Sequence, residues 1–179
     1  GTRPRLRQDS LPALDAMDVR IEYAIRNVVP VGECGIIAAP FKGCKTHIAA
    51  DMALSVATAT NFLGCEWFGV SHAMRAGFIS CESGKPAIQE MFRRICNARD
   101  LSPSAIGNLF ISTDCPQLPD EAHLVESFIV DNALQFVVLD PAYLLMSGIS
   151  DAAASDMAMG RGLRVLTEMG KRTGCTIAL

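Results

Sequence analysis

The chain has 179 residues, of which 50% are hydrophobic and 20% are charged, and its formal net charge is −3. These values indicate one well-packed domain, exclude a disordered chain, and give no global basic surface for nucleic acid. No apolar run reaches the roughly 18 residues of a membrane span, and no hydrophobic segment follows the basic start, so we expect a cytoplasmic protein without a membrane partner.

The predicted elements alternate between short apolar strands and amphipathic helices. Residues 1–29 are predicted to be a lead or linker, and 1–20 show little periodicity. Residues 21–34 are predicted to form a short helix or an extended piece ending in a turn, which leads into the core. The core domain is predicted over 30–179. Its strands are expected at 35–39, 76–81, 108–112, 135–140 and 174–179, and its helices at 45–60, 86–99, 119–132 and a long stretch ending near Thr173.

The alternation recurs at a spacing of about 30 residues, which favours right-handed crossovers between parallel strands. Continuous apolar strands are typical of a sheet that is buried on both faces. We therefore predict an α/β fold, in which a mostly parallel sheet carries helices on both faces. In such sheets, ligands bind beyond the carboxyl ends of the strands.

A phosphate-binding loop is predicted between the first strand and the first helix of the core. It resembles the pattern G-x-x-x-x-G-K-S/T, with Ala39 and Cys44 at the two glycine positions. Backbone N–H groups at the helix start can bind a triphosphate, Lys45 can reach its β and γ oxygens, and Thr46 can bind Mg²⁺. The residues predicted to bind the nucleotide are Ala39, Pro40, Phe41, Lys42, Gly43, Cys44, Lys45 and Thr46.

Cys44 is expected to cost little backbone energy, because the chain is entering a helix there. Its thiol would lie at a helix N-terminus near two lysines, which lowers a thiol pKa. We therefore hypothesise a reactive thiol that bound nucleotide protects. Seven cysteines occur in all, without the paired C-x-x-C spacing of a zinc site, so we expect reduced thiols.

Two acids stand at predicted strand ends. Asp140 follows four apolar residues, as in a Walker B strand, and could hold Mg²⁺ through water; alternatively it caps the next turn. Glu82 could deprotonate the attacking water as the catalytic base; alternatively it is an exposed acid at a helix start. Lys42 either contacts phosphate or is solvated. Arg93 and Arg94 could face a neighbouring subunit, nucleic acid or water, and a solvated helix face is the favoured interpretation.

Several stretches resemble one family. The run from Ile36 to Leu54, the triplet Phe62-Leu-Gly64, the strand Phe78-Ile-Ser-Cys-Glu82 and the run from Val137 to Leu145 are similar to those of RecA-like AAA ATPases of the RepA type. These are plasmid and phage replicative helicases related to DnaB, often found within primase–helicase proteins. The resemblance covers about 30–179.

The resemblance implies a RecA-like P-loop NTPase that uses ATP and Mg²⁺, with Lys45 and Glu82 as catalytic residues and Thr46 and Asp140 at the metal. It also implies ATP hydrolysis coupled to movement on single-stranded DNA, in a hexameric ring with active sites between subunits. The family's polar sensor and arginine finger follow a strand like 174–179, where this sequence stops. We therefore expect a fragment that binds nucleotide but hydrolyses it slowly alone, since such a finger contributes about 10³–10⁵ in rate.

Other functions remain open at this point. A RecA- or RadA-like strand-exchange ATPase shares the loop, the glutamate and the Walker B strand. A nucleotide-binding regulatory or assembly module without efficient turnover is a candidate from another class. A small-molecule kinase is a weaker one, because no arginine-rich lid insert is visible.

Overall fold

A computed structural model of the chain describes residues 8–18, 20–40, 43–146 and 152–179. Its helices are α1 (Leu11–Asp15), α2 (Lys45–Thr58), α3 (Lys85–Ala98), α4 (Ala122–Asp131), α5 (Ala142–Leu145) and α6 (Ala152–Thr173). Its strands are β1 (Tyr23–Ile25), β2 (Val29–Pro30), β3 (Cys34–Gly35), β4 (Ala76–Ser80), β5 (Leu109–Ser112), β6 (Phe136–Asp140) and β7 (Thr176–Ala178).

The centre of the fold is a five-stranded sheet in the order β3-β7-β6-β4-β5, in which every neighbouring pair is parallel. Two strands lie between β3 and β4 in the sheet, although along the chain the connection from β3 to β4 contains α2 and two short 3₁₀ turns but no strand. The later strands β6 and β7 fill that space. The predicted parallel sheet is therefore confirmed, and the loop after β3 lies at the same edge as the ends of β4 and β6.

Strand β6 shows why the strands read as continuous apolar runs. Phe136 and Val138 pack into one hydrophobic cluster, and Val137 and Leu139 pack into a second cluster on the opposite face. Residues of α2 and α3 contribute to the first cluster, and residues of α4 and α6 contribute to the second. The predicted coverage of both faces is confirmed, and alternate side chains of each strand are buried on opposite sides.

Helix α2 is buried on all sides rather than along one stripe. Every residue from Ala49 to Ala57 is buried, because the sheet, α3 and the 3₁₀ turn at Phe62–Gly64 enclose the helix. The prediction of an amphipathic helix was wrong for this stretch, and Ala59, just beyond the end of the helix, is exposed. Small alanine side chains allow this close packing.

A buried ion pair between Asp51 and Arg99 holds the second half of α2 in place. The Arg99 guanidinium donates to Asp51 Oδ2 at 2.6 Å, to Ser55 Oγ at 2.8 Å and to Thr60 Oγ1 at 2.9 Å. Asp51 also accepts the backbone N–H of Leu63 at 2.9 Å. Burial raises the pKa of the Asp51 carboxyl, while the Leu63 N–H and the Arg99 charge oppose that rise. The pair therefore connects α2, α3 and the 3₁₀ turn through mostly desolvated groups.

Several predicted boundaries were wrong. The first strand was predicted at 35–39, but β3 ends at Gly35, and the last ladder contact is the Ile37 N–H donating to the Leu179 carbonyl at 2.6 Å. Helix α4 begins at Ala122 rather than 119, and Leu124 is exposed, because Val125 and Ile129 already fill the side that faces the sheet.

The segment before β3 is more ordered than its sequence suggests. Ser10 caps the short helix α1 by accepting the Ala13 N–H at 3.3 Å. The alternatives for 21–34 are decided in favour of extended chain, because β1 and β2 pair as an antiparallel hairpin. The hairpin packs Ala24, Ile25 and Val29 into the first cluster. The domain boundary at residue 30 stays a prediction. None of the helices in the described ranges has the length and apolarity that crossing a membrane requires.

Removing Arg99 tests the buried ion pair. We expect Arg99→Met to lower the free energy of unfolding by about 3–5 kcal/mol, because it leaves the Asp51 charge buried without its partner. Arg164→Met is the matched control, since Arg164 pairs with Glu168 at 3.0 Å on an exposed surface of α6. Its loss should be within about 1 kcal/mol. Urea denaturation measures both; equal losses would contradict the importance of the buried pair.

Candidate active site

A cleft of about 680 Å³ lies at the carboxyl edge of the sheet. Three separate segments meet in it: the start of α2, the turn after β4 and the end of β6. They contribute Gly43, Cys44, Lys45, Thr46, Glu82 and Asp140. The structure therefore brings together most of the predicted site residues. Of the others, Ala39 and Pro40 do not line the cleft, and Phe41 and Lys42 lie outside the described residues.

Gly43 closes the turn that leads into α2. Its N–H donates to the Pro40 carbonyl at 3.0 Å. A Cβ atom at this position would lie 2.9 Å from that same oxygen and 3.0 Å from the Cβ of Ala39. A side chain cannot be accommodated there without moving backbone. Gly43 is therefore the glycine that this loop requires sterically.

Cys44 has a backbone conformation that its side chain disfavours. Its φ is 54° and its ψ is 24°, in the left-handed region, although it was predicted to be cheap because the chain was entering a helix. That prediction was wrong: the helix begins one residue later, after the turn has reversed the chain. A non-glycine residue in this region costs about 1–2 kcal/mol. The glycine of the usual loop pattern is favoured here for this reason.

The first turn of α2 presents free hydrogen-bond donors to the cleft. Cys44 makes no side-chain cap, and the first N–H groups of a helix have no acceptor within it. The positive end of the helix dipole also favours an anion here. The Lys45 ammonium donates to the Ala39 carbonyl at 3.0 Å and lies 3.5 Å from the Pro40 carbonyl. Those two residues thus hold the lysine over the loop.

Asp140 is a buried acid with an unsatisfied oxygen. Its residue is 6% exposed, and its Oδ2 has no hydrogen-bond partner within the described part of the chain. Burial raises the pKa of the carboxyl, and the Glu82 charge adds to the rise, whereas a hydrogen bond from Thr46 and the Lys45 charge oppose it. A buried oxygen of this kind needs a partner. Mg²⁺ with its water shell fits the oxygen donors of Asp140 and Thr46.

The turn after β4 carries Glu82. Ser80 lies opposite Asp140 in the β4–β6 register, and its Oγ accepts the Ser83 N–H at 3.3 Å. The Cys81 N–H donates to the Asp140 carbonyl at 2.8 Å. These two bonds turn the chain beside the end of β6 and leave the Glu82 side chain exposed in the cleft.

Helix α3 contributes residues that the sequence reasoning did not assign to the site. Ala87, Glu90, Met91 and Arg94 recur at helical spacing and line the outer part of the cleft. Arg94 donates to the Glu90 carboxylate at 2.7 Å and is largely exposed, as the interpretation as a solvated helix face requires. It also lines the cleft, which that interpretation did not include. Their spacing of three and four residues along α3 was the available signal.

The comparison with protein families identifies the kind of domain that contains this cleft. A family model described as an AAA domain matches residues 2–179. The chain belongs to the AAA domain family. Such domains are nucleotide-binding ATPases of the RecA-like superfamily, which agrees with the observed sheet and with the predicted P-loop NTPase fold. Comparison with curated proteins gave no match.

Substituting the left-handed cysteine tests the loop geometry of this AAA domain. We expect Cys44→Gly to raise the free energy of unfolding by about 1 kcal/mol, because glycine adopts a positive φ without a steric penalty. Cys44→Ala is the control, since it removes the thiol but keeps the Cβ. Urea denaturation of both variants should show a gain for glycine alone. A loss of stability for Cys44→Gly would contradict the assigned conformation.

Replacing the buried acid tests the metal assignment. We expect Asp140→Asn to weaken ATP binding in Mg²⁺ by about 10–100-fold, because the amide cannot supply the charge that holds the hydrated ion. Binding measured by calorimetry with EDTA should be unchanged. Asp131→Asn, on the exposed end of α4, is the control. Equal weakening with and without Mg²⁺ would show that Asp140 acts on folding rather than on the metal.

Proposed function

We propose that this AAA domain is an ATP-hydrolysing motor domain that couples hydrolysis to translocation on or unwinding of single-stranded DNA during replication. One observation carries the catalytic part: Lys45 at the α2 start, the unsatisfied Asp140 oxygen and the exposed Glu82 open into the same cleft. Each alone has an ordinary structural explanation. Their convergence from three strand ends is what ATP hydrolysis needs.

Binding of ATP would begin at the first turn of α2. The free N–H groups there donate to phosphate oxygens, and Lys45 exchanges the Ala39 carbonyl for the β and γ phosphates. Thr46 and Asp140 would hold Mg²⁺, and the ion would supply positive charge that neutralises the phosphates. The exchange replaces a neutral acceptor by a charged one, and a hydrogen bond to a charged group is the stronger of the two.

Glu82 would act as the base for hydrolysis. It accepts a proton from the attacking water while the water oxygen bonds to the γ-phosphorus. The bond between that phosphorus and the β–γ bridging oxygen breaks, and ADP and phosphate result. The described fold aims the carboxylate into the cleft through the turn at Ser80–Ser83.

The DNA part of the proposal rests on the resemblance to RepA-type helicases at 36–54, 78–82 and 137–145. The chain is weakly acidic, so a DNA-binding surface would have to be local or be formed by several copies. A homo-hexameric ring satisfies this, because identical loops from its subunits meet around one channel. A RecA- or RadA-like recombination ATPase is the related alternative, and filaments on single-stranded DNA instead of closed rings would favour it.

A switch or assembly module without efficient turnover is the second candidate. It is favoured by the Glu82 side chain, for which no described residue supplies a hydrogen bond. A base that is not held in place is poorly preorganised for catalysis. In that case nucleotide binding, rather than hydrolysis, would be the working event.

Turnover measurements separate these functions. We expect Lys45→Ala to abolish ATP binding, and Glu82→Gln to keep binding but slow hydrolysis by about 10²–10⁴-fold. Glu168→Gln, on the exposed face of α6, is the control. Single-stranded DNA should stimulate hydrolysis by the wild-type protein.

Two results would contradict the motor assignment. Unchanged turnover in Glu82→Gln would show that Glu82 is not the base and would favour the switch. Normal turnover without any stimulation by single-stranded DNA would keep the ATPase and remove the DNA-coupled motor.

A further inference from the structure

One side of α3 forms a wall of the cleft. Ala87, Glu90, Met91 and Arg94 line the cleft together, because residues three, four and seven positions apart lie on the same side of a helix. We call these four residues the α3 face. The groups proposed to bind phosphate and Mg²⁺ come instead from the α2 start and the end of β6. The cleft therefore contains a surface that phosphate binding does not use.

The α3 face extends away from the proposed base. Glu82 lies just before α3, which begins at Lys85 and ends at Ala98. A helix rises about 1.5 Å per residue, so Arg94 lies about 14 Å beyond Lys85 along the axis. In ATP, the α and β phosphates and a ribose separate the nucleobase from the γ-phosphate. A nucleotide that extends along α3 with its γ-phosphate at Glu82 therefore has its base beside the α3 face.

The α3 face has an apolar part and a charged edge. Met91 is mostly buried and Ala87 is small and exposed, so together they offer apolar surface on which a flat ring can pack. Next to them, Arg94 Nε donates to Glu90 Oε1 at 2.7 Å. Within the described ranges, neither charged group makes another hydrogen bond. The second carboxylate oxygen and the terminal guanidinium nitrogens thus remain for a ligand.

The charged pair has little value for stability alone. Both side chains are largely exposed, and an exposed pair of residues four apart on a helix contributes only about 0.3–0.5 kcal/mol. Its effect on geometry is larger, because each partner restricts the other to one orientation. An acceptor and a donor are therefore held next to each other at the edge of an apolar surface.

We propose that the α3 face is the nucleobase subsite of the cleft, and that Glu90 recognises the 6-amino group of adenine. The carboxylate accepts a hydrogen bond from that amino group, Arg94 donates to the neighbouring ring nitrogen, and the ring packs on Ala87 and Met91. The inference rests on the proposed ATP site and adds to it the residues that recognise the base. A site with a fixed acceptor binds an analogue without the donor less tightly, because the acceptor is left unpaired.

Tyr143 is the other surface in the cleft on which a ring could stack. It is exposed and lies in the short helix α5, three residues after Asp140. This places it at the end of the cleft where the metal and the γ-phosphate are proposed to bind. A base on Tyr143 would require the nucleotide to fold back over its own triphosphate. The extended arrangement along α3 avoids that.

The experiment compares ligands that differ by one chemical group, with affinities measured by calorimetry in Mg²⁺. They are ATP, purine riboside triphosphate, which lacks only the 6-amino group, and inorganic tripolyphosphate, which has no base. The variants are Glu90→Ala, Arg94→Ala and Tyr143→Ala. Glu168→Ala is the matched control, because it breaks an exposed pair of the same spacing on α6, with a separation of 3.0 Å.

We expect the wild-type protein to bind ATP about 10-fold more tightly than purine riboside triphosphate, because the analogue loses one hydrogen bond to a charged group. Glu90→Ala should remove this preference by weakening ATP alone. Arg94→Ala should weaken both nucleotides by about 10-fold, since both contain the ring nitrogen. Tripolyphosphate affinity should be the same in all variants, and Tyr143→Ala and Glu168→Ala should match the wild-type protein.

Three outcomes would overturn the inference. They are a preference for ATP that persists in Glu90→Ala, tripolyphosphate binding that weakens in that variant, and a preference that only Tyr143→Ala removes. Tripolyphosphate binding as tight as ATP binding in the wild-type protein would also overturn it, while leaving the phosphate site intact. No binding of either ligand would instead refute the proposed ATP site, and the subsite with it.

Discussion

The burial of α2 from Ala49 to Ala57 is the constraint on which the site depends. A helix enclosed by the sheet, by α3 and by the 3₁₀ turn has one position, and its first residues are Lys45 and Thr46. The Asp51–Arg99 pair fixes its far end through hydrogen bonds of 2.6–2.9 Å. Buried ionic groups contribute little net stability but are costly to break. The free N–H groups at the α2 start are thus held rigidly, at the same edge where β4 and β6 end.

Parallel register then brings the acids to that edge. Because Ser80 lies opposite Asp140 in the register, the turn after β4 begins beside the residue that carries the carboxylate at the end of β6. The Asp140 oxygen has no described partner, and a raised pKa follows from its burial. A fold optimised only for stability would satisfy or remove such a group. The unsatisfied acid, the strained Cys44 and the exposed Glu82 therefore all lie at the one edge where function is proposed, as expected when local rules are broken for binding.

Much of this arrangement could be predicted from the sequence, because it depends on local pattern. Strands buried on both faces read as apolar runs, as in Phe136–Asp140, and the Lys-Thr pair after the loop marked the start of α2 at Lys45 correctly. The rest depends on contacts between distant residues. Nothing local indicates that Asp51 would find Arg99, 48 positions away. The left-handed backbone of Cys44 follows from the turn in which the Gly43 N–H donates to the Pro40 carbonyl. The usual loop pattern has a glycine at position 44, and this was the one hint of that conformation in the sequence.

The central claim is that the α2 start, Asp140 and Glu82 form one ATP site. A crystal structure with Mg²⁺ and a non-hydrolysable ATP analogue tests it most directly. The account predicts the triphosphate against the first turn of α2, Lys45 moved from the Ala39 carbonyl to the β and γ phosphates, and the ion between Thr46 and Asp140, with Glu82 facing the γ-phosphate. Nucleotide bound elsewhere, or Lys45 still on the Ala39 carbonyl beside a bound triphosphate, would contradict it.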